Sequence, residues 1–334
     1  MKLSGYWKEN AFVKLKMDYD NLDLFDKVYI SKVFTDTPIN ENVLSLHNVE
    51  YGGTGFFFDK APNLPVEIEH HMPDYHLYDE WIQKQIESGA NRNEFKEYLD
   101  YSIGFITRGC FRKCGFCVNQ KYDHVFSHSP LQEFYDPERK KICLLDDNFL
   151  GFKDWKIYLQ ELINTGKKFR FKQGLDERLL TDEKCSLLFN SNYDGDFIFA
   201  FDKISDYGLI KNKLQMIRRN TEKQCMFYVL CWYEGSDEVD IKNTFKRIEL
   251  LMKYHCLPYI MRYQNKNETP WKNSKFRGMY ITLARWCNQP SFFKKKSFKE
   301  FCKAKGNKSS FKYMSEFEMD YPDIANRFFN IKWA

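Results

Sequence analysis

The chain has 334 residues with 51 Lys and Arg against 46 Asp and Glu, a net charge of +5, and 43% of it is apolar. The length supports one large domain, or one large and one small, and the apolar share is that of an ordinary globular protein. A charge this mild is compatible with anionic partners without requiring them, and no run approaches eighteen apolar residues, so the sequence predicts no transmembrane helix.

The predicted elements run as follows. Residues 28–34 (Val-Tyr-Ile-Ser-Lys-Val-Phe) are rich in β-branched and aromatic side chains and read as a strand. A second strand over 48–51 runs into Gly52-Gly53-Thr54-Gly55. A glycine-rich turn after a strand can cradle phosphate, but no G-x-G-x-x-G opens a helix here, and a tight turn is the preferred reading. Residues 1–75 therefore read as a small α/β lobe, followed by a connecting segment over 76–99. Pro62, Pro65 and Pro73 punctuate this part of the chain.

From residue 100 to 270 strands and helices alternate, the pattern of a parallel sheet. Strands are expected over 101–106, 141–145, 169–172, 197–201, 226–231 and 257–261. Helices are expected over 155–164, from Thr181 as N-cap onward, and over 237–254. Polar residues gather where the strands end, and in parallel barrels those ends carry the active site.

The first of these strands leads into Gly-Cys-Phe-Arg-Lys-Cys-Gly-Phe-Cys, residues 109–117. Cys110, Cys114 and Cys117 are spaced C-x3-C-x2-C, with the aromatic Phe116 just before the last. Three thiolates this close can hold three irons of a cubane [4Fe–4S] cluster and leave the fourth open to a small molecule. Zinc is the alternative, with His124 or His128 as a fourth ligand. A disulfide framework fits poorly. Residues 1–10 are charged and polar, with no apolar signal segment, and the ten cysteines lack paired spacing, so a reducing cytosol is expected. The other seven are Cys143, Cys185, Cys225, Cys231, Cys256, Cys287 and Cys302, and none forms a C-x2-C pair.

The cysteine spacing and Phe116 resemble the signature of the radical S-adenosylmethionine (radical SAM) enzymes. The resemblance extends to residues 49–55, to Ile-Gly-Phe-Ile-Thr-Arg-Gly-Cys at 103–110, to Leu-Asp-Asp-Asn-Phe-Leu at 145–150 and to Gln-Gly-Leu-Asp at 173–176. Within the family these features look most like an uncharacterised branch with a truncated cobalamin-domain-like N-terminal lobe. The resemblance implies a partial (βα)6 TIM-like barrel over 100–270, with the small α/β lobe before it and a helical tail over 271–334. It also implies a [4Fe–4S] cluster on Cys110, Cys114 and Cys117, with Phe116 beside the adenine of S-adenosylmethionine (SAM). One electron would cleave the sulfonium to methionine and a 5′-deoxyadenosyl radical, which would abstract hydrogen from a substrate. The electron would come from a flavodoxin or ferredoxin type of donor.

Strand ends supply the further candidates. Asp146-Asp147-Asn148 stands where the family usually has a Gly-Gly-Glu-like segment, and the resemblance implies that Asp147 or Asn148 accepts from the SAM ammonium. Gln173 and Asp176 are placed to meet ribose hydroxyls or substrate. Arg178 would clamp a carboxylate, or pair with Asp176 and fix the loop. Asp202 ends the fourth strand, and Tyr228, Glu234, Arg262 and Tyr263 are lesser candidates near the fifth and sixth. Arg108 would tune the cluster or face solvent. No Asp-x-His-x-x-Gly turn occurs, so no cobalamin is expected, and residues 1–109 contain no cysteine for a second cluster.

The tail interleaves cations and aromatics: Trp-Lys-Asn-Ser-Lys-Phe-Arg at 271–277, Arg285-Trp286, and Phe-Phe-Lys-Lys-Lys at 292–296. Such a mix suits phosphate contacts and base stacking, or forms an amphipathic helical tail that closes the barrel. RNA or a nucleotide is the first expectation for a substrate and a peptide the second. A non-catalytic iron–sulfur or zinc protein that binds nucleic acid, and a scaffold that binds SAM without cleaving it, are the alternatives. In every case the chain is expected to be cytoplasmic and off the membrane.

Overall fold

The computed structural model describes residues 1–233, 235–263 and 274–333, with Asp59 described in its backbone only. Glu234, Gln264, Trp271, Lys272 and Asn273 lie outside the described residues. The protein is mixed α/β with parallel sheets, and it divides into two compact units: Met1–Ile106 with His128–Ile142, and Thr107–Ser127 with Cys143–Ala334. Among the described residues no helix is long and apolar enough to cross a membrane.

The first unit holds a two-stranded parallel sheet of β1 (Val28–Ser31) and β2 (Val49–Gly52). The glycine-rich segment after β2 is a tight turn into the four-residue helix α1 (Thr54–Phe57). Its donors are used by the chain itself, with Gly55 N–H bonded to Lys32 O at 2.8 Å and the Thr54 hydroxyl to Val33 O at 2.8 Å. Elsewhere in this unit β3 (Tyr101–Gly104) is fixed by Tyr75, whose hydroxyl accepts from Ile103 N–H at 2.7 Å and donates to Phe134 O at 2.6 Å.

The second unit begins with a short antiparallel hairpin, β4 (Thr107–Arg108) on β5 (Phe126–Ser127), with the cysteine loop between them. Strand β6 (Lys141–Leu144) spans the division between the units. Then come β7 (Lys168–Phe171), β8 (Phe197–Ala200), β9 (Cys225–Cys231) and β10 (Cys256–Arg262). Strands β8, β9 and β10 form one parallel sheet, with Phe197 opposite Cys225 and Cys225 opposite Cys256. Sheet bonding continues at the strand ends: Lys172 N–H reaches Leu144 O at 2.8 Å and Leu175 N–H reaches Ile198 O at 2.8 Å. Among the described residues no closed barrel is formed.

The crossovers are helical. Residues Trp155–Asn164 (α2) follow β6, Asp182–Phe189 (α3) follow β7 and Asp237–Lys253 (α5) follow β9. Thr181 caps α3, its hydroxyl accepting from Lys184 N–H at 3.2 Å. The sequence assigns no helix between β8 and β9, yet Tyr207–Asn220 (α4) fills that span. Its buried stripe is narrow, only Ile210, Leu214 and Ile217 in a Lys- and Asn-rich segment, which weakens the periodic signal.

After β10, helices at Arg277–Cys287, Pro290–Phe293, Phe298–Lys303, Lys308–Asp320 and Pro322–Phe328 complete the unit. Their aromatic rings enter its core. Phe245 of α5 packs against Phe298 and Phe328 at centroid distances of 5.4 and 5.8 Å, and Trp286, Phe293 and Phe301 are buried. Burying rings of this size is the main stabilising contribution of such a segment.

Candidate functional site

The cysteine loop is closed at its base by β4 and β5. Gly109 begins it at φ +88°, and a Cβ there would lie 2.4 Å from the carbonyl oxygen of His124. Only glycine lets the two ends of the loop cross so closely. Inside, Cys117 N–H bonds Cys114 O at 2.9 Å, Gln120 Nε2 bonds the same oxygen at 3.1 Å, and Lys113 ties down the carbonyls of Gln120 and Tyr122.

Cys110, Cys114 and Cys117 are free thiols, half-buried. Two sulfurs receive hydrogen bonds: Cys110 Sγ from Arg112 N–H at 3.4 Å and Asn148 Nδ2 at 3.3 Å, and Cys117 Sγ from Asn119 N–H at 3.4 Å. Burial pushes the Cys114 thiol up, opposed by the positive charge of Arg178, and it pushes the Cys117 thiol up, opposed by the Asn119 N–H. Donors aimed at sulfur favour its anionic, metal-binding form once a cation arrives. Among the described residues, no three His, Cys, Asp or Glu side chains are arranged to hold a metal ion.

The end of β6 braces this loop. Asp146 is buried, and its Oδ1 accepts from both the N–H and the hydroxyl of Thr107 at 2.6 Å. Asp147 spends both oxygens on the loop: Oδ2 accepts from Gly109 N–H at 2.8 Å with Arg108 Nε at 3.5 Å, and Oδ1 accepts from Asn119 Nδ2 at 2.7 Å. Asn148 is buried, and its Nδ2 serves Cys110 and, at 3.4 Å, Asp176. Its Oδ1 is buried without a hydrogen-bond partner. An unsatisfied buried acceptor beside the cysteines is costly unless a ligand donor completes it.

The end of β7 supplies the second brace. Asp176 Oδ2 accepts from Arg112 Nε at 2.9 Å and Oδ1 from Arg178 Nε at 2.6 Å. Burial pushes its carboxyl up, but these two guanidiniums outweigh burial and hold it below the ordinary carboxylate value. Arg178 is thus a partner of Asp176 in fixing the loop. The adjacent Glu177 is buried and accepts from Ala200 N–H at 3.1 Å. Burial, with Asp176 beside it, pushes the Glu177 carboxyl up to about 8. Gln173 is exposed.

At the end of β8, Asp202 accepts from Leu230 N–H at 3.2 Å, and burial raises its carboxyl to about 6 against the pull of Arg247. Asp202 and Arg178 both act electrostatically on Cys114. At the ends of β9 and β10 stand Tyr233, edge-on to Phe116 at 5.2 Å, and Tyr263, edge-on to Tyr233 at 5.0 Å. Tyr228 packs edge-on to Tyr259 within the sheet, and Arg262 closes β10 opposite Cys231.

Cys110, Cys114, Cys117, Phe116, Asp147, Asn148, Asp176, Arg178 and Asp202 therefore gather around one loop. Sequence reasoning does not find Arg112, Asn119, Glu177 or Tyr233. The first two lie in the cysteine loop itself, and only their distant partners Asp176 and Asp147 mark them. His124 is exposed, bonded to Asp123 at 2.5 Å and packed against Phe126, while His128 belongs to the other unit, stacked on His70. Of the tail aromatics, Phe276, Trp286 and Phe293 are core residues and present no stacking surface, while Phe292 is half-buried, and Lys275, Lys299 and Lys332 pair with Asp320, Glu318 and Glu300. Comparison with protein-family models and with curated proteins returns no match.

Proposed function

We propose that this chain is a radical SAM enzyme: it binds a [4Fe–4S] cluster through Cys110, Cys114 and Cys117 and uses it to cleave SAM. One observation carries the reading. Three cysteines in C-x3-C-x2-C spacing occupy a hairpin loop braced from the ends of successive strands by Asp147, Asn148 and Asp176. The residue types suit the group, with three half-buried thiols in one loop. N–H donors already point at two of the sulfurs, and the orphaned Asn148 Oδ1 offers an acceptor for an ammonium beside them. When bound, the cluster and SAM together supply one-electron sulfonium cleavage and a hydrogen-abstracting radical.

The chain's own part is to hold and shield. Asp147 and Asp176 spend their oxygens on the loop, so they position the cysteines, and Asn148 is the candidate for contact with SAM. The parallel order of β8, β9 and β10, and the bonds that join the ends of β6, β7 and β8, support a partial (βα)6 barrel whose strand ends face the loop. Zinc with His124 or His128 as fourth ligand draws no support from where those rings lie. A nucleotide or RNA substrate draws its support from exposed Lys295, Lys303, Lys305 and Lys308, since Phe276, Trp286 and Phe293, three of the aromatics expected to stack on bases, are buried.

The test is anaerobic reconstitution with iron and sulfide, then SAM and dithionite, with 5′-deoxyadenosine measured. Product that disappears in Cys114→Ala supports the reading. Stoichiometric zinc in place of a cluster, or an intact cluster that yields no product, refutes it.

A further inference from the structure

Asp147 and Asp176 brace the first half of the cysteine loop and its flanks, while the Cys114–Cys117 half is met by a different residue. Tyr233 comes from the β9 end, with its ring edge-on to Phe116 at 5.2 Å. Its hydroxyl lies over Gly115, where a Cβ would stand only 2.4 Å from Tyr233 Oη, while the next atom, Cζ, would be an ordinary 3.7 Å away. The glycine of the motif is therefore a socket for a hydroxyl.

Three features aim Tyr233 at this socket. Trp232 before it adopts φ +66°, the left-handed region that costs a non-glycine residue free energy. Trp232 is held there by its N–H bond to Asp240 Oδ2 at 2.8 Å and its edge contact with Tyr280 at 5.1 Å. Tyr263, pinned by its N–H bond to Cys231 O at 3.0 Å, packs edge-on to the Tyr233 ring at 5.0 Å. Such a strained turn persists only where its surroundings fix it.

We infer that Tyr233 is a positioning residue for the cysteine loop: it clamps the Gly115–Phe116 step and so sets Cys114 against Cys117. What the clamp does for a bound cluster rests on the function proposed above, but the clamp itself is a property of the protein alone.

Alkylation of Cys114 and Cys117 by iodoacetamide, followed by mass spectrometry on the metal-free protein, tests it. Tyr233→Ala is expected to speed alkylation at both sites by about tenfold, because the loop opens more often. Gly115→Ala should do the same with Tyr233 in place, by pushing the hydroxyl out. Tyr233→Phe alone should stay within about twofold of the parent. The decisive variant is Gly115→Ala with Tyr233→Phe, which removes the clashing oxygen and should return alkylation to the parental rate. A Gly115→Ala effect that Tyr233→Phe fails to suppress, or a Tyr233→Ala protein alkylated at the parental rate, overturns the proposal.

The reconstituted proteins give a second readout. The electron paramagnetic resonance line shape of the reduced cluster should differ from the parent in Tyr233→Ala and Gly115→Ala and return in the double variant. Identical spectra in all four proteins would also overturn the clamp. A parent that makes no 5′-deoxyadenosine refutes the enzyme reading and leaves the alkylation result standing.

Discussion

Two sets of cysteines lie in the second unit, and the protein treats them differently. At the start of β9 and β10, Cys225 and Cys256 face each other in register, fully buried. Arg218 donates to Cys256 Sγ at 3.3 Å and to the carbonyls of Tyr254, Thr221 and Lys223 at 2.8 to 3.0 Å. Cys225 is pushed up by its bond to Cys256 and by burial. Cys110, Cys114 and Cys117 sit instead in a half-buried loop, with N–H groups of their own loop aimed at sulfur and an orphaned acceptor alongside. The comparison teaches that thiol proximity alone does not make a site. The strand pair is closed on itself by an arginine whose bonds all go to the protein, whereas the loop keeps access to solvent and an unmet polar group.

The largest expected effect would break this contrast outright. Cys114→Ala should abolish bound iron and 5′-deoxyadenosine formation, whereas Cys256→Ala should retain both. Equal iron loss in the two variants would erase the distinction. Next comes Arg218→Ala, which removes the bonds to Cys256 Sγ and to the part-buried Tyr254 and Thr221 carbonyls and should cost roughly 1–2 kcal/mol in urea unfolding, with the iron content of the refolded protein unchanged. Iron loss without destabilisation would reverse the assignment.

Asp176 and Glu177 repeat the contrast on neighbouring carboxyls, one held down by arginines and the other raised by burial to about 8. A carboxyl whose folded value lies above its unfolded value contributes stability that is fully present below the unfolded value and is lost as pH rises through the folded one. The parent should therefore lose stability between about pH 5 and 8. Glu177→Gln keeps an acceptor for Ala200 N–H without a charge to bury, and should be the more stable protein at pH 8 by on the order of 2 kcal/mol. Thermal unfolding at pH 5 and pH 8 measures this, and a Gln variant with the same pH slope as the parent would show that Glu177 is not the group responsible. The smallest effect is expected at Thr181→Ala, which removes the α3 cap for about 1 kcal/mol and should leave iron binding untouched. It calibrates stability loss away from the loop.

Much of the fold is legible in the residues themselves. The periodicity of residues 155–164 marks helix α2 to its ends, Thr181 marks the start of α3, and each of the strands expected between 101 and 261 is present within a residue or two of its expected bounds. Hairpin β4–β5 escapes, because two residues a side carry no periodic signal. The tail shows the limit of composition. Cations and aromatics in alternation describe equally a base-stacking arm and an amphipathic helix, and the rings of Phe276, Trp286 and Phe293 turn out to lie in the core.

By itself, then, the sequence determined the local things: the alternation of strand and helix, the caps, and the spacing of Cys110, Cys114 and Cys117, all set by interactions within a few residues. Tertiary structure alone decided what surrounds that spacing. Asp147 reaches Asn119, Arg112 reaches Asp176, and Tyr233 reaches Gly115 across 28, 64 and 118 residues of chain. Contacts at that separation leave no local pattern, because what brings them together is the pairing of the strands that carry them.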